Sequence, residues 1–566
     1  MQDANNNVVE LLRKAAEATP DRLAIATSGN GSGSARITFS ELWKRTDSCG
    51  AGLSDLGIGP GDRVLLMVPM SVDLYVTLLA VLKVGAVAVF IDPWIGRRQI
   101  ARFAAFAEPA AFIGIGKSHL LRLMDSQLRA IRVTVTTGPA LFGIPARSSL
   151  RQLMTRQGDG VIARVDATDA ALVTFTTGSS GKPKGANRTH GYLLAQHAAL
   201  QAEFPYHDSD VDFTMFPVFA LNNLAKGIPT IVPDIDFRRV AEADGGALLA
   251  QVTAESATTL TASPPLVDRL RDAIVLASST SEPKTKLRRI LVGGAPVSDA
   301  QLRDWQKAFP GVEILVVYGS TEAEPVAHIE VGERLGLTSD RHPDTPGFCT
   351  GTPTSLLKTR VVRIVDEPIQ LDERGWLDWE VTPGEIGELV VSGEHVGKEY
   401  FRSSEATTAN KIHETDGTVW HRMGDTGYFD AMGRFWLAGR VHSTIRRRGQ
   451  LIHPQLVEQA AAGDGVERLA ALAMPAENGE QRLVVVVQAQ EAARRAACSV
   501  AARLRERGIE ADEVAVTSAA LPLDPRHNSK VDYQRLSQLL DEDNSGLAAS
   551  RWSMAELTDR SIEGST

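Results

Sequence analysis

The short run Thr174-Phe-Thr-Thr-Gly-Ser-Ser-Gly-Lys-Pro-Lys-Gly185 gathers hydroxyls, glycines and two lysines directly after a β-branched stretch, Ala171 to Phe175. A loop of this make-up can wrap a polyphosphate. Gly178 and Gly181 let backbone N–H groups approach oxygens closely, the hydroxyls of Thr176, Thr177, Ser179 and Ser180 donate further hydrogen bonds, and Lys182 and Lys184 offset charge. It is not a Walker loop, because Pro183 stands where that pattern needs Ser or Thr. The competing reading is a flexible Ser/Gly turn between a strand and a helix.

Other strings are ambiguous when taken singly. Tyr318-Gly-Ser-Thr-Glu322 follows the predicted strand Val312 to Val317 and could be a turn with a helix N-cap. Gly293-Gly-Ala-Pro296 follows the predicted strand Arg289 to Val292 and could be an ordinary strand-to-helix turn. Asp425, in His421-Arg-Met-Gly-Asp-Thr-Gly-Tyr428, fits an Asp-Thr-Gly turn between strands. Lys530 closes Leu521-Pro-Leu-Asp-Pro-Arg-His-Asn-Ser-Lys530, and an isolated lysine is nearly always a solvated side chain.

In this order, however, the strings resemble the signature motifs of the adenylate-forming superfamily, which contains acyl-CoA synthetases, fatty acyl-AMP ligases, luciferases and peptide-synthetase adenylation domains. The resemblance covers about residues 8 to 540. It implies an enzyme that uses ATP and Mg2+ to activate a carboxylic acid as its acyl-AMP. Thr176 to Lys184 would then hold the phosphates, while Gly294, Ala295 and Pro296 line the adenine pocket and Tyr318 stacks on the base. Thr321 would contact the α-phosphate, Glu322 would help hold magnesium, and Asp425 would accept the ribose hydroxyls. The resemblance makes Arg440 a ribose or phosphate contact, His442 the inter-domain hinge, and Lys530 the catalytic lysine bridging the substrate carboxylate and the α-phosphate. A point charge suits that last task, because negative charge builds on the α-phosphoryl oxygens as one anion attacks another.

Departures from the pattern bear on the acceptor. Phe219 and Ala220, in Phe216-Pro-Val-Phe-Ala-Leu221, stand where many members gate the acyl pocket with P-x-F-H, so Ala220 replaces the histidine. Ile445-Arg-Arg-Arg-Gly449 replaces I-K-x-x-G, and Ser529 stands where glycine precedes the lysine. Phe-Ala-Leu at 219–221, Val-Pro-Asp at 232–234, Thr-Glu-x-x-Pro-Val-Ala at 321–327 and Arg-His-Asn-x-Lys at 526–530 are similar to the β-lactone synthetases of bacterial olefin pathways. That similarity implies a 3-hydroxy fatty acid whose own hydroxyl displaces AMP. The alternative is ligation to CoA, and use of CoA stays open at this point.

The elements that must position these residues alternate as strand and helix. Arg63 to Val68, Ala86 to Ile91, Ala111 to Ile115 and Ile131 to Thr136 are separated by helical segments such as Ser71 to Val84. A second set comprises Ala171 to Phe175, Thr230 to Val232, Arg289 to Val292 and Val312 to Val317. The alternation predicts an α/β fold with two doubly wound βαβ lobes. After about Gly347 short strands dominate, namely Leu357 to Val365, Gly387 to Ser392, Gly427 to Phe429 and Arg434 to Ala438, which suggests a small β-barrel or meander. Helices at Pro454 to Ala461 and Glu491 to Arg507 flank an apolar strand, Arg482 to Gln488, in a small α+β C-terminal domain, mobile by the resemblance. The predicted division is 1–439, 440–545 and a flexible tail over 546–566.

Whole-chain properties narrow the class. A chain of 566 residues exceeds what one core usually supports. The net charge of −9, with no basic stripe or aromatic platform, excludes a general nucleic-acid binder, so anionic ATP must be drawn in by local groups. The three cysteines lie far apart, and the first residues show neither a signal peptide nor a membrane span. These features predict a cytoplasmic enzyme whose partners are a small carboxylic acid and other enzymes of a lipid pathway.

Overall fold

The run after Ser71 is apolar but for Asp73 in its first turn and Lys83 at its end, and the structure shows how it becomes helix. The Ser71 hydroxyl caps Val72–Lys83 by accepting from the Leu74 N–H at 3.3 Å. Lys83 is 2% exposed and paired with Asp47 at 3.0 Å and Asp159 at 3.1 Å, so the buried charge is matched. This computed structural model describes residues 5–27, 35–91, 97–139, 144–177, 183–278, 285–337, 346–476, 481–490, 492–523, 531–541 and 547–557.

The first lobe is a seven-stranded sheet with Arg63–Met67 at its centre, flanked by Val87–Ile91 and Ala111–Ile115. Its strands are parallel except for the last pair, where Ala170–Thr177 meets Pro183–Thr189 antiparallel with Thr176 opposite Lys184. Lys184 thus lies on the strand that returns antiparallel to Ala170–Thr177, and residues 178–182 fall outside the described residues. Sequence order had grouped Ala171 to Phe175 with the second lobe. In the structure Val173 pairs with Val89, because the strand closes the first sheet before the chain crosses over.

The second sheet has fourteen strands. Its middle is parallel, running through Thr230–Val232, Asp212–Thr214, Thr259–Ala262, Arg289–Val292 and Glu313–Ser320. Leu23–Thr27 and Ala35–Thr38 extend one edge, where no strand was expected. At the other edge the chain turns antiparallel through Ala323–Glu330 and Phe348–Pro353 into Phe435–Arg440, Val419–Phe429, Gly387–Ser392 and Lys358–Val362. The strands expected to form a separate barrel therefore continue the second sheet. The junction depends on Gly351, which has φ +91°, and any Cβ there would lie 1.9 Å from the His328 carbonyl oxygen.

The C-terminal domain has a four-stranded sheet, Arg468–Pro475, Gln481–Gln488, Glu513–Thr517 and Ser550–Ser553. Gln481–Gln488 is buried through Leu483 to Val487, and apolar clusters form on both of its faces, as its unbroken apolar run requires. Ser550–Ser553 lies in the segment expected to be a flexible tail. It is instead an edge strand, with Trp552 opposite Val514 and its ring against the domain core. Among the described residues no helix is long and apolar enough to cross a membrane.

Candidate active site

Parallel strands in open α/β sheets deliver ligand-binding residues at their carboxyl ends. Arg289–Val292 leads into Gly294, Ala295 and Pro296, and Glu313–Ser320 carries Tyr318. All of these line a cleft of about 2100 Å³ between the large body and the C-terminal domain. Thr321, Glu322, Lys184, Asp425, Arg440 and His442 line the same cleft, so the structure gathers these sequence-predicted residues at one place.

One corner is a hydrogen-bonded triad. Asp425 and Arg440 face each other across the strand pair Val419–Phe429 and Phe435–Arg440, beside a register shift at Thr426 and Gly427. The Tyr318 hydroxyl donates to Asp425 Oδ2 at 2.6 Å, and Arg440 Nη1 stands 2.9 Å from Oδ1. Burial and the adjacent Asp425 push the Tyr318 phenol well above its ordinary value, so it stays a donor. A carboxylate has about four acceptor sites, which leaves Asp425 capacity for further hydroxyls.

A second corner surrounds Glu322. Its Oε1 accepts from the Tyr400 hydroxyl at 2.8 Å. Lys411 and His421 are cross-strand neighbours, both 3% exposed, and their fields reach Glu322. Burial works against ionisation of Glu322, but His421, Lys411 and the Tyr400 hydrogen bond outweigh it and hold the carboxyl below its ordinary value. Burial and Lys411 push His421 itself down to about 3, so at neutral pH the imidazole is uncharged and Lys411 is the effective cation. Burial lowers Lys411 to about 8 against the opposing pull of Glu322.

Arg188 links these corners to the first lobe. Its Nε and Nη2 donate to the Thr321 carbonyl at 3.2 and 3.0 Å, and the guanidinium lies 5.9 Å from the Tyr192 ring centroid. Sequence reasoning missed Arg188, Tyr400 and Lys411 and assigned no role to His421. Arg188, Tyr400 and Lys411 reach the site through pairing or packing with distant segments and stand in no motif-like spacing, whereas His421 opens the string that carries Asp425 and was passed over there.

Lys530 and the loop residues Gly178, Ser179, Ser180, Gly181 and Lys182 fall outside the described residues, and for Thr176 and Thr177 only the strand backbone is described. Val531 pairs with Leu523 and lines the cleft. Phe219 is buried against Leu200, Phe204, Leu291, Leu315 and Val317, while Ala220 is fully buried in the first lobe's core. The aromatic ring from that helix start that lines the cleft is Phe216. His442 lies in the turn Val441–Ser443, and burial together with Arg440 holds it below its ordinary value.

A cleft at the carboxyl ends of parallel strands, with a small domain facing it, suits an enzyme that binds a nucleotide. The chain belongs to the AMP-binding enzyme family, matched over residues 12–401, and is an adenylate-forming enzyme that activates acids. It is 33% identical to the olefin beta-lactone synthetase of Stenotrophomonas maltophilia (strain K279a), over 94% of this chain and 97% of that protein. It is 25% identical to the peroxisomal OPC-8:0-CoA ligase 1 of Arabidopsis thaliana, over 77% of this chain and 76% of that one. Among solved structures, ATP-bound MatB from Rhodopseudomonas palustris superposes with a TM-score of 0.75 at 22% identity, covering 95% of this chain and 99% of the other. Adenylate-forming enzymes use ATP and Mg2+, and the donors here fit both. An ionised carboxylate, Glu322, suits a hard cation that keeps waters and phosphate oxygens as its other ligands, and the Tyr318, Asp425 and Arg440 corner suits a nucleoside.

Proposed function

We propose that this enzyme activates a 3-hydroxy fatty acid as its acyl-AMP and then closes it to a β-lactone. The observation that carries this reading is the match to a β-lactone synthetase along nearly the whole of both chains. In the first step a carboxylate oxygen of the acid attacks the α-phosphorus of ATP and pyrophosphate leaves. Thr176 to Lys184 hold the phosphates, Asp425 accepts the ribose hydroxyls, Thr321 contacts the α-phosphate and Lys530 offsets the charge that builds there. Magnesium, held in part by Glu322, would neutralise phosphate charge. In the second step the 3-hydroxyl oxygen attacks the activated carbonyl, the acyl–phosphate C–O bond breaks to release AMP, and the hydroxyl proton passes to the leaving phosphate or to water. Holding nucleophile and carbonyl on one chain makes this step intramolecular.

His442 serves in this reading as the hinge of a mobile domain 440–545, Phe219 and Ala220 shape the acyl pocket from behind Phe216, and the enzyme works in the cytoplasm beside others of a lipid pathway. A second reading, thioester formation with CoA, is favoured by the likeness to plant CoA ligases. Mass spectrometry of products from ATP, Mg2+ and matched plain and 3-hydroxy acids, with and without CoA, separates the two. A cyclised product without CoA is expected. Acyl-CoA as the sole product from both acids would replace the lactone reading.

A further inference from the structure

Glu324 follows the Thr321 and Glu322 pair on the strand Ala323–Glu330, and it lines the cleft. Its neighbours on that strand, Ala323 and Val326, turn into the apolar cluster with Leu389, Met423 and Phe435. A Cβ on Gly319 would lie 2.9 Å from the Ala323 carbonyl oxygen and 3.3 Å from the Glu324 Cβ, so glycine lets the strand carrying Glu324 approach this closely. The register shift between Tyr318 and Ser320 creates this position.

What distinguishes Glu324 is that no partner meets its carboxylate among the described residues. Its backbone carbonyl accepts from Gln196 Nε2 at 3.1 Å, but among the described residues no donor and no ion pair meets its carboxylate. Arg188 is the cation whose field reaches it, and that guanidinium is already committed to the Thr321 carbonyl. The other carboxylates of this wall, Glu322 and Asp425, are each hydrogen-bonded. A partly enclosed, unsatisfied carboxyl costs desolvation free energy. In a site that must accept ATP and a second carboxylate, it also repels both reactants. A neutral hydrogen-bond donor on the acid would remove the first cost without adding to the second. An ammonium group on the acid would satisfy the same carboxylate, so the choice of a hydroxyl follows from the substrate reading and is tested separately.

We propose that Glu324 is the specificity residue of this enzyme, accepting a hydrogen bond from a hydroxyl close to the carboxyl of the acid substrate and so selecting hydroxy acids over unsubstituted ones. This rests on the 3-hydroxy acid reading above and names the group that enforces it. The test is the ratio of kcat/KM for a 3-hydroxy acid to that for the unsubstituted acid of equal chain length, measured by pyrophosphate release. The wild type, Glu324→Leu and Glu324→Gln are compared, with a 3-amino acid of the same length included.

The expected result is a wild-type preference for the hydroxy acid that falls by about ten- to a hundredfold in Glu324→Leu, the value of one hydrogen bond to a charged acceptor. Glu324→Gln, which keeps the shape and a neutral acceptor, should give an intermediate ratio and guards against misfolding of the leucine variant. Both variants retaining the wild-type ratio would overturn the assignment of Glu324 while leaving the substrate reading intact. A wild type that does not prefer the hydroxy acid would overturn the substrate reading and this inference with it. Preference for the 3-amino acid would overturn the choice of hydroxyl.

Discussion

Glu322 and Glu458 both line the cleft, one on the large body and the other on the C-terminal domain, yet their carboxyls are driven in opposite directions. Glu322 is held low, because the hairpin that brings Lys411 opposite His421 places a cation beside it. Glu458 is pushed up to about 7 by burial, with only neutral donors to oppose it, Tyr533 Oη at 2.6 Å and the Ala471 N–H at 2.9 Å. Burial alone therefore does not decide charge in this cleft. A matching cation does, and on the large-body wall it comes from a strand about ninety residues further along the chain, a separation well beyond local sequence patterns.

Lys530 is the cation that the C-terminal side should contribute, and removing it gives the largest effect expected. Lys530→Ala should lower the rate of acyl-AMP formation by about a thousandfold or more, while the nucleotide Kd changes far less, because the charge is wanted most in the transition state. Stopped-flow adenylation beside equilibrium titration checks this. Equal losses in both would assign Lys530 to ground-state binding.

Lys411→Met should make Glu322 resemble Glu458. With the cation gone, burial is no longer offset and the Glu322 carboxyl rises, so the acid limb of the kcat/KM profile should move to higher pH and the Mg2+ needed for half-maximal rate should increase by about tenfold. Lys411→Arg should restore both. An unmoved acid limb would show that Lys411 does not set the charge of Glu322.

Asp425→Asn keeps the shape of the Tyr318 corner and removes its charge. The expected outcome is a rise of about tenfold in the KM for ATP, since hydrogen bonds to a charged group weaken to neutral ones. A kcat loss at unchanged KM would mean that the triad acts on the chemical step.

The smallest effect on rate should come from Glu458→Gln, which reads out in stability. Burial pushes the Glu458 carboxyl of the folded chain up to about 7 from its ordinary value of 4.5, so the folded chain holds its proton where the unfolded chain has lost it. Stability then falls as pH rises from about 4.5 to about 7 and levels off above, a loss of up to a few kcal/mol. Denaturant melts across this window should show a shallower decline for Glu458→Gln. Parallel wild-type and variant curves would remove Glu458 from the account.

Much of the fold was legible wherever local pattern and cap agree. The helix after Ser71, the strand Gly387–Ser392 and the helix Pro454–Ala461 lie where period and flanking residues put them. Pairing partners were not legible. Ala171 to Phe175 belongs to the first sheet, the barrel strands join the second, and Ser550–Ser553 docks on Glu513–Thr517, because side-chain period does not encode which strand lies alongside. The site divides in the same way. Tyr318, Thr321, Glu322, Asp425 and Arg440 stand in contiguous strings and line one cleft, whereas Arg188, Tyr400 and Lys411 owe their places to strand register and interlobe packing.

The most direct test of the central claim is a single-turnover, rapid-quench experiment with ATP, Mg2+ and a 3-hydroxy fatty acid in the absence of CoA. Acyl-AMP should rise and then decay, with AMP and a product one water lighter than the acid appearing at the rate of its decay, and added CoA should leave that rate unchanged. Acyl-AMP that persists until CoA is added, and then discharges to acyl-CoA, would contradict it.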